Sequence, residues 1–262
     1  MSAMDLSKMG TAKVVLNTSD CNHIVIEKWP VSDVEWAFYL YAATELNQAG
    51  IATPTLFSAD ATLRQLKLEY IPYKVDQTAV ANDYAIAMLG RLHRYPANSE
   101  WLYHTHTWTE TALENALMLL ALPELNVRQL RRFQQNSNAL FACQSLVSGD
   151  SNAGNWGRRE NGNLVLFDWE RFGKGSPAID LAPLIRGMGT KQEFIDLAER
   201  YCQLSSHQNI RELAREIAVV KAWIVTEVIV LLHMRRKSTF PLYLNWYREH
   251  LPAWLDNVEK ML

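Results

Sequence analysis

Ser148-Gly149-Asp150-Ser151-Asn152-Ala153-Gly154-Asn155, followed by Leu164-Val165-Leu166-Phe167 and then Asp168-Trp169-Glu170, is the stretch on which the reading of this chain turns. An Asp, four intervening residues, an Asn and a second Asp at the tip of a short strand supply the groups that phosphoryl transfer from Mg-ATP requires. One carboxylate orients an attacking hydroxyl and accepts its proton, while an amide oxygen and a second carboxylate hold the metal that neutralises the phosphates. The local sequence also provides for their convergence. Residues 141–147 read as a buried strand, Gly149 and Gly154 permit a tight backbone around Asp150, and Asn155 returns toward the same pocket. Asn161-Gly162-Asn163 is a hairpin turn, and the apolar strand after it delivers Asp168 at its tip.

Composition narrows the partners. Twenty-six basic and 28 acidic residues, mixed along a chain of 262, leave a formal net charge of −2. No nucleic-acid-binding stripe and no polybasic membrane tail is therefore expected, and a small neutral or cationic partner fits better. Cys21, Cys143 and Cys202 are odd in number and widely spaced, which argues against a disulfide framework or a structural zinc site. That cysteine usage makes the cytoplasm the expected location, and residues 1–13 lack the continuous apolar stretch of a secretory signal. The longest apolar segment, 217–234, carries Lys221 and Glu227 and follows Glu216. Those charges suit a core helix better than a membrane span.

Residues 13–16 and 23–28 read as two strands joined by the polar turn Asn17-Thr18-Ser19-Asp20, with Pro30 ending the second. Ser32-Asp33-Val34-Glu35 has the form of a capping box opening an amphipathic helix, with Phe38, Tyr39, Ala42 and Leu46 on one face and Gly50 past its end. Another extended segment starts at Thr53-Pro54-Thr55, and 66–70 alternates as a strand. Beyond Pro72 the pattern turns helical over 79–92, 109–121, 126–140, 177–188, 191–204, 210–234 and 241–262. The expected fold class is α+β, with a boundary near residue 72.

The string over 149–182 resembles the aminoglycoside phosphotransferase and choline kinase family, whose usual pattern is His-Gly-Asp, four residues, Asn, then Asp-Trp-Glu, then Asp-Leu-Ala. Here Gly149-Asp150, Asn155, Asp168-Trp169-Glu170 and Asp180-Leu181-Ala182 stand in that order. The resemblance implies a two-lobed protein-kinase-like fold. A shortened, β-rich N-terminal lobe over 1–72 would bind nucleotide, and a larger, mainly helical lobe over 73–262 would carry catalysis and acceptor binding. It also implies an ATP- and Mg²⁺-dependent enzyme that moves the γ-phosphoryl group to a hydroxyl of a small molecule, such as choline or another amino alcohol, thiamine, or an amino sugar.

On this reading Asp150 is the catalytic base or hydroxyl-orienting group, and Asn155 and Asp168 are the metal ligands. Trp169 and Glu170 complete the second motif. Asp180 corresponds to a buried anchor of the catalytic loop and reads equally as an early-turn helix acid, so its expected role is structural support. Leu68-Glu69-Tyr70-Ile71-Pro72 resembles the family's interlobe connector, which would turn the main chain of Glu69 and Ile71 toward adenine. The phosphate-contacting cation and its helix partner are expected at Lys28 and Glu35. Glu35 also has a complete capping explanation, and sliding the strand against Pro30 puts Glu27 at the lysine position.

Two departures stand out. Ser148 replaces the customary His, and the phosphate-covering loop is short, with Ser7-Lys8-Met9-Gly10-Thr11 as its remnant and Gly10 and Thr11 as its candidate contacts. Both favour an alternative, a catalytically weak or inactive kinase-like nucleotide-binding module. His93 reads as packing and helix-end hydrogen bonding rather than proton transfer, and His104 and His106, with no carboxylate or Cys cluster nearby, do not read as a metal site. Trp223, Trp246 and Glu227 would suit a cationic alcohol, and their helical spacing also suits a plain core.

Overall fold

The computed structural model describes residues 4–5, 12–18, 24–205 and 209–262. The loop remnant at 7–11, with Gly10 and Thr11, lies outside the described residues, as does Cys21. The chain forms two compact units: Met1–Thr105 with Ser145–Lys174, and His106–Gln144 with Gly175–Leu262. The boundary expected at residue 72 thus falls within the first unit.

In the first unit an antiparallel sheet runs in the order β1 (Met4–Asp5), β2 (Lys13–Thr18), β3 (Ile24–Trp29), β5 (Gln65–Glu69), β4 (Leu56–Asp60). Alternation makes these strands: Leu66 and Leu68 are buried while Lys67 between them reaches out to Glu27 at 3.1 Å. The register sets Lys28 opposite Leu66 and Val25 opposite Glu69. Between β3 and β4 one helical rod runs as α1 (Asp33–Ala37), a π turn (Phe38–Ala42) and α2 (Ala43–Gln48). Ser32 begins it by accepting the Glu35 N–H at 3.1 Å. The widened turn sinks Phe38, Tyr39 and Ala42 into the core.

The remainder of this unit holds the short β6 (Tyr73–Lys74), the helices α3 (Gln77–Val80) and α4 (Asp83–Arg94), and the segment returning from residue 145. The expected helix over 79–92 is broken because Asn82 accepts the Ala85 N–H at 2.9 Å and starts α4 anew. In the returning segment β8 (Trp156–Arg158) pairs with both β6 and β9 (Leu164–Leu166). Gly162, at φ +87°, takes the left-handed turn of the β8–β9 hairpin.

The second unit is helical: α5 (Glu110–Leu120), α6 (Glu124–Gln135), α7 (Asn138–Ala142), α8 (Ala178–Leu181), α9 (Lys191–Ser205), α10 (Ile210–Met234) and α11 (Phe240–Val258). Its axis is α10, packed by α5, α6, α8, α9 and α11. The most apolar window of α10 is 61% buried, and Lys221 within it donates to the carbonyls of Ile185 at 2.6 Å and Gly187 at 2.7 Å. This is the core helix its charges foretold.

Three further expectations need correction. Residues 141–147 are not one strand: α7 ends at Ala142, and only Leu146–Val147 is extended, as β7, paired with β10 (Gly173–Lys174). A short apolar run does not distinguish strand from helix by periodicity, and the Phe141 ring packs edge-on against Trp223 at 5.0 Å in the helical unit. The helix expected over 126–140 stops at Gln135, where Ser137 turns back to bond the Gln134 carbonyl. That over 177–188 ends sooner, passing from α8 into a 3-10 turn at Ala182–Leu184. Pro183, inside that turn, has no N–H to continue an α-helix.

Candidate active site

Asp168 stands just beyond the tip of β9, at φ +66°. A left-handed backbone is strained for any residue with a Cβ and persists only where its surroundings impose it. Here the flanks are pinned. The Phe167 N–H donates to the Asn155 carbonyl at 2.9 Å, and the Trp169 indole N–H donates to the Leu166 carbonyl at 3.0 Å. The Trp169 ring stacks on Phe38 of the π turn, centroids 4.3 Å apart and planes within 9°. Trp169 is therefore the wedge that fixes the turn, which aims the Asp168 carboxylate away from its strand.

That carboxylate meets Lys28. Its Oδ1 lies 2.7 Å from Lys28 Nζ, and the same ammonium lies 2.7–2.8 Å from the two oxygens of Glu35. The strand register puts Lys28, not Glu27, at this position, since Glu27 is occupied by Lys67 and Gln65. The capping box is half formed. Ser32 holds the Glu35 N–H, while the Glu35 side chain turns to the lysine. Burial disfavours the Lys28 ammonium, but the charges of Glu35 and Asp168 outweigh it and hold the pKa above the ordinary lysine value. Burial pushes Glu35 up to about 7, with Lys28 opposing the rise.

Asp150 and Asn155 come to the same place from the loop between β7 and β8. Asn155 Nδ2 donates to the Asp150 carbonyl at 2.9 Å, and the backbone bond from Phe167 ties Asn155 beside Asp168. Burial raises the Asp150 pKa above the usual carboxylate value; the Asn152 amide and the Arg171 guanidinium oppose this, and the charge of Asp168 adds to it. Asn152 Nδ2 donates to Asp150 Oδ1 at 2.6 Å. Sequence reasoning passed over both Asn152 and Arg171. The first left a trace, a capping Asn just before Ala153-Gly154, whereas nothing local marks the second.

The residues fit a hard divalent cation. With its amide nitrogen committed to the Asp150 carbonyl, Asn155 presents an oxygen, and Asp168, whose side chain is 35% exposed, has a second oxygen beyond the one on Lys28. Glu35 and Glu170 each place an oxygen within 4.8 Å of an Asp168 oxygen. Oxygen donors of this kind suit Mg²⁺.

The other expected site residues fall as follows. Glu69 ends β5 with its carboxylate gripped by Arg159 at 2.6 and 2.7 Å and by Thr55, and its N–H donates to the Thr55 carbonyl at 2.8 Å. Ile71 packs against Gly157 of β8. Ser148 is buried, as is His93 on α4, while His104 joins β10 through a bridge to Gly173. In the second unit Asp180 is fully buried on α8. Trp223 on α10 is core, edge-on to Phe141 and His106. Trp246 on α11 is exposed and stacked on His250, and Glu227 is half-buried.

Solved structures share this architecture. LicA in complex with AMP superposes with a TM-score of 0.69 at 17% identity, covering 98% of this chain and 92% of its own; a related structure is described as the choline kinase LicA from Streptococcus pneumoniae. A choline/ethanolamine kinase family protein from Mesorhizobium loti gives 0.68 at 14% identity, covering 100% and 92%. The amicoumacin kinase hAmiN, in complex with AMP-PNP, Ca²⁺ and Ami, gives 0.62 at 16%, covering 98% and 88%. No curated protein matches the sequence. The fold is thus the protein-kinase-like one, a small antiparallel sheet joined to a mostly helical part. The profile of the phosphotransferase enzyme family matches residues 25–216, from the strand that carries Lys28 through the Asp150, Asp168 and Asp180 motifs, and the chain belongs to that family.

Proposed function

We propose that the protein transfers the γ-phosphoryl group of ATP to a hydroxyl of a small molecule, in the class of amino alcohols, thiamine and amino sugars. The observation that carries this reading is the meeting of Lys28, Glu35 and Asp168 within 2.8 Å contacts, with Asn155 and Asp150 tied beside them. The nucleotides in the LicA and hAmiN structures, and the Ca²⁺ in the latter, support it.

Asp150 receives the acceptor hydroxyl, orients it and takes its proton; burial raises its carboxyl above the usual carboxylate value, with the Asn152 amide and the Arg171 guanidinium opposing, and a raised carboxyl is the better proton acceptor. Asn155 and Asp168 would hold Mg²⁺, which when bound neutralises charge on the transferring phosphates. Lys28, steadied by Glu35, contacts the phosphates, and the main chain of Glu69 and Ile71 faces the base. Residues 1–72 serve the nucleotide and 73–262 the chemistry and the acceptor, with Asp180 as structural support and Trp223, Trp246 and Glu227 as the acceptor-side candidates. The protein works in the cytoplasm.

ATP consumption across a panel of choline, ethanolamine, thiamine and aminoglycosides, with Asp150→Ala as the blank, tests this. The variant should lose about 10²–10⁴-fold in turnover with its fold intact; undiminished turnover would sink the assignment. Buried Ser148, where the family carries His, favours the weaker reading of a nucleotide-binding module. A melting-temperature rise with Mg-ATP but no turnover on any acceptor would select it.

A further inference from the structure

We infer that Asn152 is a positioning residue that fixes the rotation of the Asp150 carboxylate, holding Oδ1 so that Oδ2 is the oxygen left for the acceptor hydroxyl. The inference deepens the proposed transferase reading and rests on it for its kinetic consequence.

The side chain of Asn152 is used at both ends. Its Oδ1 accepts the Gly154 N–H at 2.8 Å, capping the 3-10 turn Ala153–Asn155, and its Nδ2 donates to Asp150 Oδ1 at 2.6 Å. The orientation of the amide follows from chemistry. A backbone N–H only donates, so the oxygen must face Gly154, and the nitrogen must then face the carboxylate. The main chain of Asp150 is separately held by Asn155 Nδ2 at 2.9 Å, and the Asn155 N–H returns to the Asn152 carbonyl at 2.9 Å. One loop therefore grips the backbone of Asp150 with one asparagine and its carboxylate with another. The grip on the carboxylate matters because the terminal torsion of Asp is soft and two-fold. An amide is also a donor that does not compete for the proton Asp150 is to accept. A turn-capping residue alone would need the oxygen and not the nitrogen.

That difference supplies the test. Asn152→Asp keeps the capping oxygen but sets a second carboxylate against Asp150 Oδ1 where the donor stood, while the Asn152 backbone N–H to the Asp150 carboxyl survives. Like charges at that distance repel, so it should melt below the wild-type protein and lose about 10²-fold in kcat on the best acceptor of the panel, the scale of a misplaced catalytic group. Asn152→Ala, which loses both ends and adds no charge, should show the same loss in kcat with KM for ATP unchanged, and a lower melting temperature. A readout free of turnover comes from side-chain amide resonances of the free protein. One Asn152 proton should lie downfield and exchange slowly, and Asp150→Ala should abolish both properties. Wild-type kcat in Asn152→Asp, or amide resonances indifferent to Asp150→Ala, would overturn the inference. The amide signature without turnover on any acceptor would overturn the transferase reading while upholding the clamp on Asp150.

Discussion

Glu35 is 1% exposed, and its carboxylate is tolerable there because the Lys28 ammonium lies against it. Removing one partner of a buried pair strands the other charge, whereas removing both charges is far milder. Lys28→Met should thus cost about 3–5 kcal/mol in urea unfolding, and adding Glu35→Gln should restore most of it. Neither variant should transfer phosphate. A double variant no more stable than Lys28→Met would show that the lysine packs rather than pairs. Asp150, Asn155 and Asp168 were legible because their convergence is written in fewer than twenty consecutive residues. Lys28 against Glu27, and the capping of Glu35 against its pairing, were not. Both depend on which face of β3 meets α1, which no local pattern encodes.

Between β8 and the connector after β5 the packing leaves no room for a side chain. A Cβ on Gly157 would sit 2.6 Å from Ile71 Cγ2 and 3.2 Å from the Tyr73 carbonyl. Gly157→Ala should therefore destabilise by about 1–3 kcal/mol, the usual cost of overpacking. Ile71→Ala in the same protein should relieve part of it, so that the double variant loses less than the sum of the singles in denaturant titrations. Strict additivity would mean that Ile71 is not the obstacle. Arg159, just past β8, ties the end of β5 to the segment before β4, with two hydrogen bonds to Glu69 and one to the Thr53 carbonyl at 3.0 Å. Arg159→Met should cost about 1.5–3 kcal/mol and leave the secondary structure unchanged by circular dichroism. The helix starts at Ser32 and Thr109 were readable because a capping residue stands just before the apolar pattern begins, whereas the cap at Asn82 lies inside a continuous helical pattern and was missed. Boundaries were also misread at 141–147, where the apolar run is shared between a helix and a two-residue strand in different units.

Across the whole molecule, stability is drawn from two cores, and the helical one encloses a lysine. Burial holds Lys221 down to about 7, with Glu193 opposing, against an ordinary value of 10.5. Between those values the unfolded chain keeps a proton that the folded chain releases. Stability therefore rises with pH across the window and is lost as pH falls toward 7. The slope is at most about 1.4 kcal/mol per pH unit. Lys221→Met should remove it, although the carbonyls of Ile185 and Gly187 then lose their donor. Urea unfolding at pH 7, 8.5 and 10 checks this; parallel slopes in the two proteins would refute it.

By itself the sequence determined the family motif that brings Asp150, Asn155 and Asp168 together, the α+β class and the core character of α10. A motif loop is short and local, and a lysine and a glutamate within an apolar helix are a direct statement about its surroundings. Only the tertiary structure decided the rest: which charged residue of β3 turns inward, where the capping glutamate spends its carboxylate, and that a second asparagine holds the first aspartate. Those are contacts between residues brought together by strand register and helix packing, and they are settled by the summed burial of many side chains rather than by any neighbour in the chain.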